Sequence, residues 1–216
     1  MRPLISGNGR PLYGLVLAAA LLSASCASKT VEAPRSFTID PPAPRLGASP
    51  AMGAVVSLRR VYVAPTYSGA ALVYRLGDHR IESDPYARLG SSPAWMLTTA
   101  ILGYLHGADF VRDVVAPGDA VPVDAEVEPF ASELCGDFSN PSDSAAVLTL
   151  QFRVLAPAAG TAPARELLLR TYSQRVRLRE RTAADVVAAW NAGLATIMKD
   201  FLVDLRGVLP SRPPAR

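Results

Sequence analysis

Apolar and polar residues alternate along much of the chain from residue 54 onwards, and this two-residue period predicts a β-sheet with one buried face. The alternation is clearest where the apolar residues at even positions from 148 to 154 are separated by Thr149, Gln151 and Arg153. A Gly77-Asp78 pair between two such runs predicts a hairpin, with Gly77 supplying a positive φ. Strands are predicted at Ser36–Ile39, Val55–Val63, Ala71–Leu76, His79–Ser83, Phe110–Val115, Val121–Leu134, Ala145–Leu155 and Glu166–Leu178.

Two segments have the helical period instead. Ser92 and Pro93 are typical of the N-cap and first position of a helix, and Gly107 is typical of its end. The apolar stripe between them is Leu97, Ile101, Tyr104 and Leu105.

A longer helix is predicted to begin at Thr182, with Asp185 in a variant of the capping box, and to end at Gly207 and Pro210. Its stripe, which we expect to pack on the sheet rather than bind a partner, is Val187, Trp190, Leu194, Ile197, Phe201 and Leu205. The element order indicates an α+β fold: a two-layer domain in which a mixed, mainly antiparallel sheet carries two helices on one face.

The N-terminus has the three parts of a secretory signal. Arg2 and Arg10 precede an uncharged apolar run from Leu12 to Leu22, and small residues follow it up to Cys26. The run is shorter than the roughly 20 residues that a membrane span needs. The end of the signal resembles a bacterial lipobox, whose cysteine is acylated and becomes the first mature residue. The alternative is an ordinary signal peptide cut nearby, for instance after Ala27.

Acylation at Cys26 would tether the mature protein to a membrane without spanning it, because more than one acyl chain makes a stable anchor. Residue Ala27 follows the cysteine, whereas an Asp there favours retention at the inner membrane in enteric lipoproteins. By that resemblance we expect an outer-membrane lipoprotein that faces the periplasm.

The predicted organisation is a signal peptide at 1–25, a lipidated, proline-rich tether at 26–53, a domain at 54–207 and a disordered tail at 208–216. The 216-residue chain carries 22 basic and 19 acidic residues. Arg2 and Arg10 leave with the signal peptide, so 20 basic residues face 19 acidic ones in the mature protein. This balance argues against a nucleic-acid partner.

The sequence contains few residues or motifs that are typical of a catalytic or metal-binding site. It has two histidines and, besides Cys26, one further cysteine, Cys135, so neither a histidine-rich metal site nor a disulfide framework is expected. Hydrolase, Walker A and dinucleotide-binding motifs are missing. Asp137, Asn140 and Asp143 are better explained by turn chemistry than by calcium. We therefore predict no catalytic residue, no cofactor and no metal ligand. Three arginines at alternate positions of the last predicted strand indicate a solvated sheet face: Arg175, Arg177 and Arg179.

The order of several short motifs resembles the ABC-type transport auxiliary lipoproteins, the family of paraquat-inducible protein C. A lipobox is followed by SFTIDPP from Ser36, by VSLRRVYVAP from Val56, by LVYR from Leu72, and then by Tyr86 and a helix. The resemblance covers residues 36 to 206. It implies an accessory role beside MCE-domain transport systems, which move phospholipids or other apolar molecules. The implied partners are MCE-domain subunits, and the protein could also form a homo-oligomer.

Two further classes of function remain open from the residues alone. One is a lipoprotein activator or scaffold for an envelope enzyme such as a cell-wall synthase, and the other is an envelope hydrolase with an unrecognised site.

Overall fold

A computed structural model describes residues 33–42, 53–77, 79–117, 119 and 121–209. The chain divides after Ala33, and the description below concerns the compact unit that begins at Pro34. The predictions of a signal peptide, of acylation at Cys26 and of a disordered tail beyond residue 209 lie outside the described residues, as does most of the predicted tether.

The described part of the chain contains nine strands and two α-helices. In order they are β1 Arg35–Phe37, β2 Ala54–Leu58, β3 Tyr62–Val63, β4 Ala71–Arg75, β5 Ile81–Leu89, α1 Pro93–His106, β6 Val111–Val115, β7 Ala125–Asp137, β8 Ala145–Ala156, β9 Arg165–Arg177 and α2 Ala183–Val208. A single 3₁₀ turn, Pro65–Tyr67, lies between β3 and β4.

All nine strands belong to one mixed sheet organised around β7. Along one edge β7 pairs with β8, which in turn pairs with β9, and these long pairings are antiparallel. Along its other edge β7 pairs in parallel with β2, β3 and β4 in succession. Strand β5 continues the sheet from β4, and β1 lies parallel to β5 at its margin.

Both helices pack into one hydrophobic core with the sheet. The even positions of β8 from 148 to 154 are buried there, as their alternation predicts. Helix α2 is long and apolar enough for a membrane span, but eleven of its 26 residues are buried, including the whole predicted stripe. It is therefore the core helix of this domain, and the predicted α+β class with helices on a mixed, mainly antiparallel sheet is confirmed.

The helix starts follow the predicted capping residues. Ser92 Oγ accepts a hydrogen bond from the backbone N–H of Trp95 at 3.3 Å, and Thr182 Oγ1 accepts one from Asp185 at 3.2 Å. The carboxylate of Asp185 also accepts the backbone N–H groups of the two residues at 179 and 180. These side chains satisfy donors that the first turn of a helix leaves without partners.

The prediction of one continuous strand from Val55 to Val63 is wrong. The segment forms β2 and β3, separated by Arg59, Arg60 and Val61. Thr98 Oγ1 of α1 accepts the backbone N–H of Val61 at 2.9 Å, which withdraws this residue from the ladder with β7. A contact from a distant helix thus ends the first strand.

The predicted hairpin is present, but its details differ. The positive φ belongs to His79, at 59°, and Gly77 has none. The sequence predicts the second strand of the hairpin at His79–Ser83, whereas β5 runs from Ile81 to Leu89. It extends this far because β1 gives its C-terminal half a second partner on the other edge.

Strand β7 ends later than the sequence predicts, because Cys135 to Asp137 continue to pair with β8 and, at the end, with β4. Gly136 makes this extension compatible with the core. A Cβ atom at this position would lie 2.9 Å from Tyr74 Cδ1 and 3.2 Å from Val186 Cγ2 of α2, so a larger residue would have to displace the ring of Tyr74 and would crowd the helix.

Candidate functional site

The predicted site residue, Cys26, lies outside the described residues. Within the described part, ionisable side chains concentrate on the face of the sheet away from the two helices, which is called the outer face below. It is formed by the odd-numbered residues of β8, by the residues of β9 that pair with them, and by the residues of β4 and β7 beside them.

One end of the outer face holds a network of alternating charges. Arg75 Nη1 lies 2.9 Å from Glu133 Oε1, and its Nη2 lies 3.5 Å from Asp137 Oδ2. Arg175 approaches the same Asp137 oxygen at 3.1 Å and reaches Asp143 Oδ2 at 2.8 Å. Two arginines and three carboxylates therefore compensate each other across three strands and a loop.

The network continues through hydroxyl groups into the centre of the face. Thr149 Oγ1 donates to Glu133 Oε2 at 2.8 Å and lies 2.9 Å from Ser173 Oγ. A second group of ion pairs occupies the other end, where Arg59 pairs with Glu126 and Glu128, and Arg153 pairs with Glu128 and Glu166. Opposite charges on adjacent strands stabilise a solvated sheet in this way.

Two of the three arginines predicted on a solvated face have side-chain partners within the domain, and the third, Arg179, lies beyond the end of β9. Arg175 is held by two carboxylates, and Arg177 Nη2 donates to the backbone carbonyl of Ser142 at 3.3 Å. An anion would have to displace these partners, so the contacts support the interpretation of an ordinary sheet face.

The loop from Asp137 to Asp143 has the turn chemistry that its sequence predicts. Asp137 Oδ1 accepts the backbone N–H and the hydroxyl of Ser139 at 3.1 and 2.6 Å. Asn140 Oδ1 accepts the same two groups of Ser142 at 3.1 and 2.7 Å. These Asx turns and the arginine pairs already engage the oxygens that a calcium site would need.

Substitution of Asp137 should have a pH-dependent effect. Burial by itself would raise the pKa of its carboxyl, but hydrogen bonds from Ser139 and the charges of Arg75 and Arg175 hold this pKa below its usual value. A lowered pKa means that ionised Asp137 stabilises the fold at neutral pH, and that this stabilisation is lost as the pH falls through the folded-state pKa. Asp137→Asn should therefore lower the free energy of unfolding by about 1–3 kcal/mol at neutral pH.

Urea unfolding of wild type and Asp137→Asn over a series of pH values measures this effect, and the difference should shrink below about pH 4. Glu82→Gln is the matched control, since its pair with Arg80 is exposed on both sides and should contribute little. An equal destabilisation by Asp137→Asn at every pH would show that the carboxylate charge plays no part.

The reactive side chains that the sequence offers are far from a catalytic arrangement. Cys135 is fully buried in β7, and burial raises the pKa of its thiol to about 11, so it is protonated at neutral pH. His79 is exposed in the hairpin turn and His106 ends α1. Within the described ranges, neither histidine has a hydrogen-bond partner that could orient it as a general base.

Comparison with known protein families gives one decisive match. The sequence profile described as "ABC-type transport auxiliary lipoprotein component" matches residues 37–201, about three quarters of the chain. The chain belongs to this family. Transport auxiliary lipoproteins are components of the cell envelope that act with ABC-type transport systems, and the resemblance inferred from the motif order is thereby confirmed.

Solved structures share the fold of this auxiliary lipoprotein. A Xanthomonas campestris protein of the DUF330 family is 14% identical, with a TM-score of 0.66 over 80% of this chain and 98% of that one. A hypothetical protein from Chlamydia trachomatis is 12% identical, with a TM-score of 0.53 over 73% of this chain and 98% of that one. At these identities the likeness concerns the fold alone. Comparison with curated protein sequences finds no match.

Sequence reasoning does not find the charge network of the outer face. Its members lie far apart in the chain; Arg75 and Asp137, for example, are separated by 62 positions. The alternation gives one weak signal for this network. It assigns Thr149 and Arg175 to the sheet face away from the core, although it does not identify the side chains with which they interact.

Proposed function

We propose that this lipoprotein is a non-catalytic accessory component of an MCE-type ABC transport system for phospholipids or other apolar molecules. Acylated Cys26 anchors it in the outer membrane, and the domain faces the periplasm, where it binds and positions MCE-domain subunits. The observation that carries the proposal is the family match across residues 37–201.

The chemistry of the domain supports a binding role. Its buried thiol has a raised pKa, the charged groups of the outer face compensate each other, and the histidines lie apart from both. A nucleophile needs a base within hydrogen-bond reach and a third group that orients this base. The described residues offer no such arrangement around Cys135 or either histidine.

The anchor is tested by Cys26→Ser. We expect wild type to incorporate a labelled fatty acid and Cys26→Ser to lose this label completely, since Cys26 alone would carry the acyl chains. The protein should then be unprocessed or leave the outer-membrane fraction, which density-gradient separation of the two membranes measures. Cys135→Ala removes the only other cysteine and is the matched control, which should keep the label. A labelled Cys26→Ser protein, or an unmodified mature N-terminus in wild type by mass spectrometry, would contradict the anchor.

The accessory role is tested by complementation of a deletion strain that is sensitive to detergents. Single removal of His79, His106, Cys135 or Asp137 should leave envelope-barrier function intact at matched protein levels. A folded, anchored and abundant point variant without activity would instead point to a chemical site. Cross-linking in cells should capture an MCE-domain subunit; capture of a cell-wall synthase in its place would favour the activator role.

A further inference from the structure

We propose that a cleft between the end of α1 and the C-terminal half of α2 binds a single-chain anionic amphiphile, that is, one acyl chain with a monoanionic head group. The cleft, called the basic cleft below, has a volume of about 370 Å³. Most of its lining residues are apolar, and two cations, Lys199 and Arg206, lie beside them. The inference goes beyond the proposed function, and it depends neither on acylation of Cys26 nor on an MCE-domain partner.

The end of α1 and the turn that follows it form one wall of the basic cleft. Tyr104 is 5% exposed, and its hydroxyl donates to the backbone carbonyl of Pro42 at 2.8 Å, so its polar atom already has a partner. Backbone hydrogen bonds fix the turn into β6: the N–H of Ala108 donates to Leu105 at 3.2 Å, and that of Val111 donates to Ala108 at 3.1 Å. This wall is therefore formed before any ligand binds, which lowers the entropic cost of binding.

The C-terminal half of α2 forms the opposite wall. Leu202 packs partly against the core, as does Phe110 from the turn after α1, whereas Val203 is 69% exposed. Lys199, Val203 and Arg206 follow one another at spacings of four and three, so they share one side of the helix. The two cations are about 10 Å apart along the helix axis. The basic cleft is therefore an apolar strip with a cation near each end.

The acidic residues of the same half of α2 lie on another side of the helix. Asp204 accepts hydrogen bonds from Arg170 and from the hydroxyl of Tyr172 on β9, and Asp200 precedes it by one turn on that side. Among the described residues that line the basic cleft, the one carboxylate belongs to Asp109. Two cations thus face one acid, and the excess positive charge favours a monoanionic ligand.

Both cations are available to a head group. Within the described ranges, Lys199 has no hydrogen bond or ion pair. Arg206 Nη1 lies 3.4 Å from Asp109 Oδ1, but the two side chains are 62% and 75% exposed, and such a pair contributes little. The guanidinium of Arg206 also lies 5.5 Å from the centroid of the Phe110 ring, at the edge of the apolar wall. A head group can pair with a cation while its chain covers Phe110 and Val203.

The size and composition of the basic cleft match one acyl chain. Sites for small molecules have volumes of about 300–1,000 Å³ and combine a mainly apolar lining with a few polar groups that fix the orientation of the ligand. At about 370 Å³, this cleft is near the lower limit, which fits one chain better than two. An uncharged chain would leave Lys199 without a partner, and a cationic one would be repelled by both cations.

Lys199 makes a site-specific test available, because the chain after Cys26 contains only one other lysine, Lys29. The complete chain from Ala27, produced without the signal peptide, keeps the compact unit that begins at Pro34 and needs no detergent. Reductive methylation with an isotope label preserves the charge of both lysines and makes them visible by NMR. Laurate below its micelle concentration should shift the signal of Lys199 and leave that of Lys29 unchanged. Dodecyltrimethylammonium, a cation with a chain of the same length, should shift neither signal.

Charge variants test the head-group contacts. Affinity is measured by displacement of dansyl-labelled undecanoic acid, whose fluorescence rises in an apolar site. Lys199→Gln should weaken laurate binding by up to about fivefold, the usual range for an exposed ion pair. Asp109→Asn should strengthen it, since the variant removes the acid that competes for Arg206. Arg80→Gln, which removes a cation that is 67% exposed beside the β4–β5 turn, is the matched control and should leave the affinity unchanged.

The apolar wall is tested by Val203→Asp. Because Val203 is exposed, this variant should remain folded by circular dichroism, yet it should weaken laurate binding by about tenfold or more. Equal displacement of the dansyl probe by laurate, dodecanol and dodecyltrimethylammonium would show that charge plays no part, and unchanged affinity in Val203→Asp would place the ligand elsewhere. Either result overturns the proposal. Absence of laurate binding overturns it as well, and a cross-linker at residue 203 that captures a protein segment would then assign the cleft to a protein partner.

Discussion

Trp190→Ala should lower the free energy of unfolding of the domain by about 3–5 kcal/mol, the usual cost of truncating a buried aromatic residue. The side chain is 2% exposed on the buried face of α2. Its indole Nε1 donates to the backbone carbonyls of Cys135 at 3.3 Å and Val147 at 3.2 Å. Because domains of this kind are stable by only about 5–15 kcal/mol, the variant should be greatly weakened or unfolded.

Chemical denaturation of the purified variants measures this effect. Val203→Ala is the matched control on the same helix, since Val203 is 69% exposed and its truncation should change stability by less than about 0.5 kcal/mol. Trp190→Phe keeps most of the ring but leaves the two carbonyls without the indole donor, which should cost about 1–3 kcal/mol. If Trp190→Ala melted at the wild-type temperature, the packing of α2 on the sheet would be wrong.

The sequence predicts α2 well because the signals for it are local. The three-four spacing of apolar residues and the capping Thr182 both lie within one segment and depend only on neighbours in the chain. The predicted end at Gly207 falls one residue short, since α2 runs to Val208. The strands β8 and β9 are predicted for the same reason, since alternation with a period of two needs no knowledge of the partner strand.

The errors arise where a distant contact decides the local structure. Thr98 of α1 accepts a hydrogen bond from the backbone N–H of Val61, and this contact divides a segment whose sequence predicts one strand. Pairing with β1 lengthens β5 beyond the predicted hairpin, and the left-handed residue of the turn is His79 rather than the glycine. None of these partners can be identified from the spacing of residues around the affected segment.

The residues of the candidate site also fall into those that a local sequence pattern predicts and those that depend on contacts between distant segments. The basic start, the short apolar run and the small residues before Cys26 form a local pattern, so the anchor can be proposed from the sequence. The charge network around Asp137 depends on the register between strands that lie far apart in the chain. Trp95 lies two positions before Leu97 and so falls outside the predicted stripe of α1, and the structure shows it 58% exposed.

Phe201→Ala should have an effect as large as that of Trp190→Ala, about 3–5 kcal/mol, for a different reason. The ring of Phe201 is fully buried and stacks on Phe152 of β8 with a centroid distance of 3.9 Å and an interplanar angle of 13°. Tyr172 of β9 contacts both rings edge-on, at 5.9 and 6.2 Å. This aromatic cluster joins the C-terminal half of α2 to two adjacent strands. Phe201 has no polar atom in its side chain, so the whole loss of stability comes from the buried ring.

A double-mutant cycle separates the ring contact from the loss of buried area. We expect Phe152→Ala and Phe201→Ala to be less than additive, with a coupling of about 0.5–1.5 kcal/mol, which is typical of paired aromatic rings. Because each single variant leaves the other ring beside a cavity, Phe152→Leu with Phe201→Leu repeats the cycle with smaller cavities and keeps the fold measurable. Tyr172→Phe is the control, since it retains the ring and removes only the hydroxyl bonded to Asp204 on the surface of α2. Additive losses in both cycles would mean that α2 is held to β8 by apolar burial without a specific contribution from ring stacking.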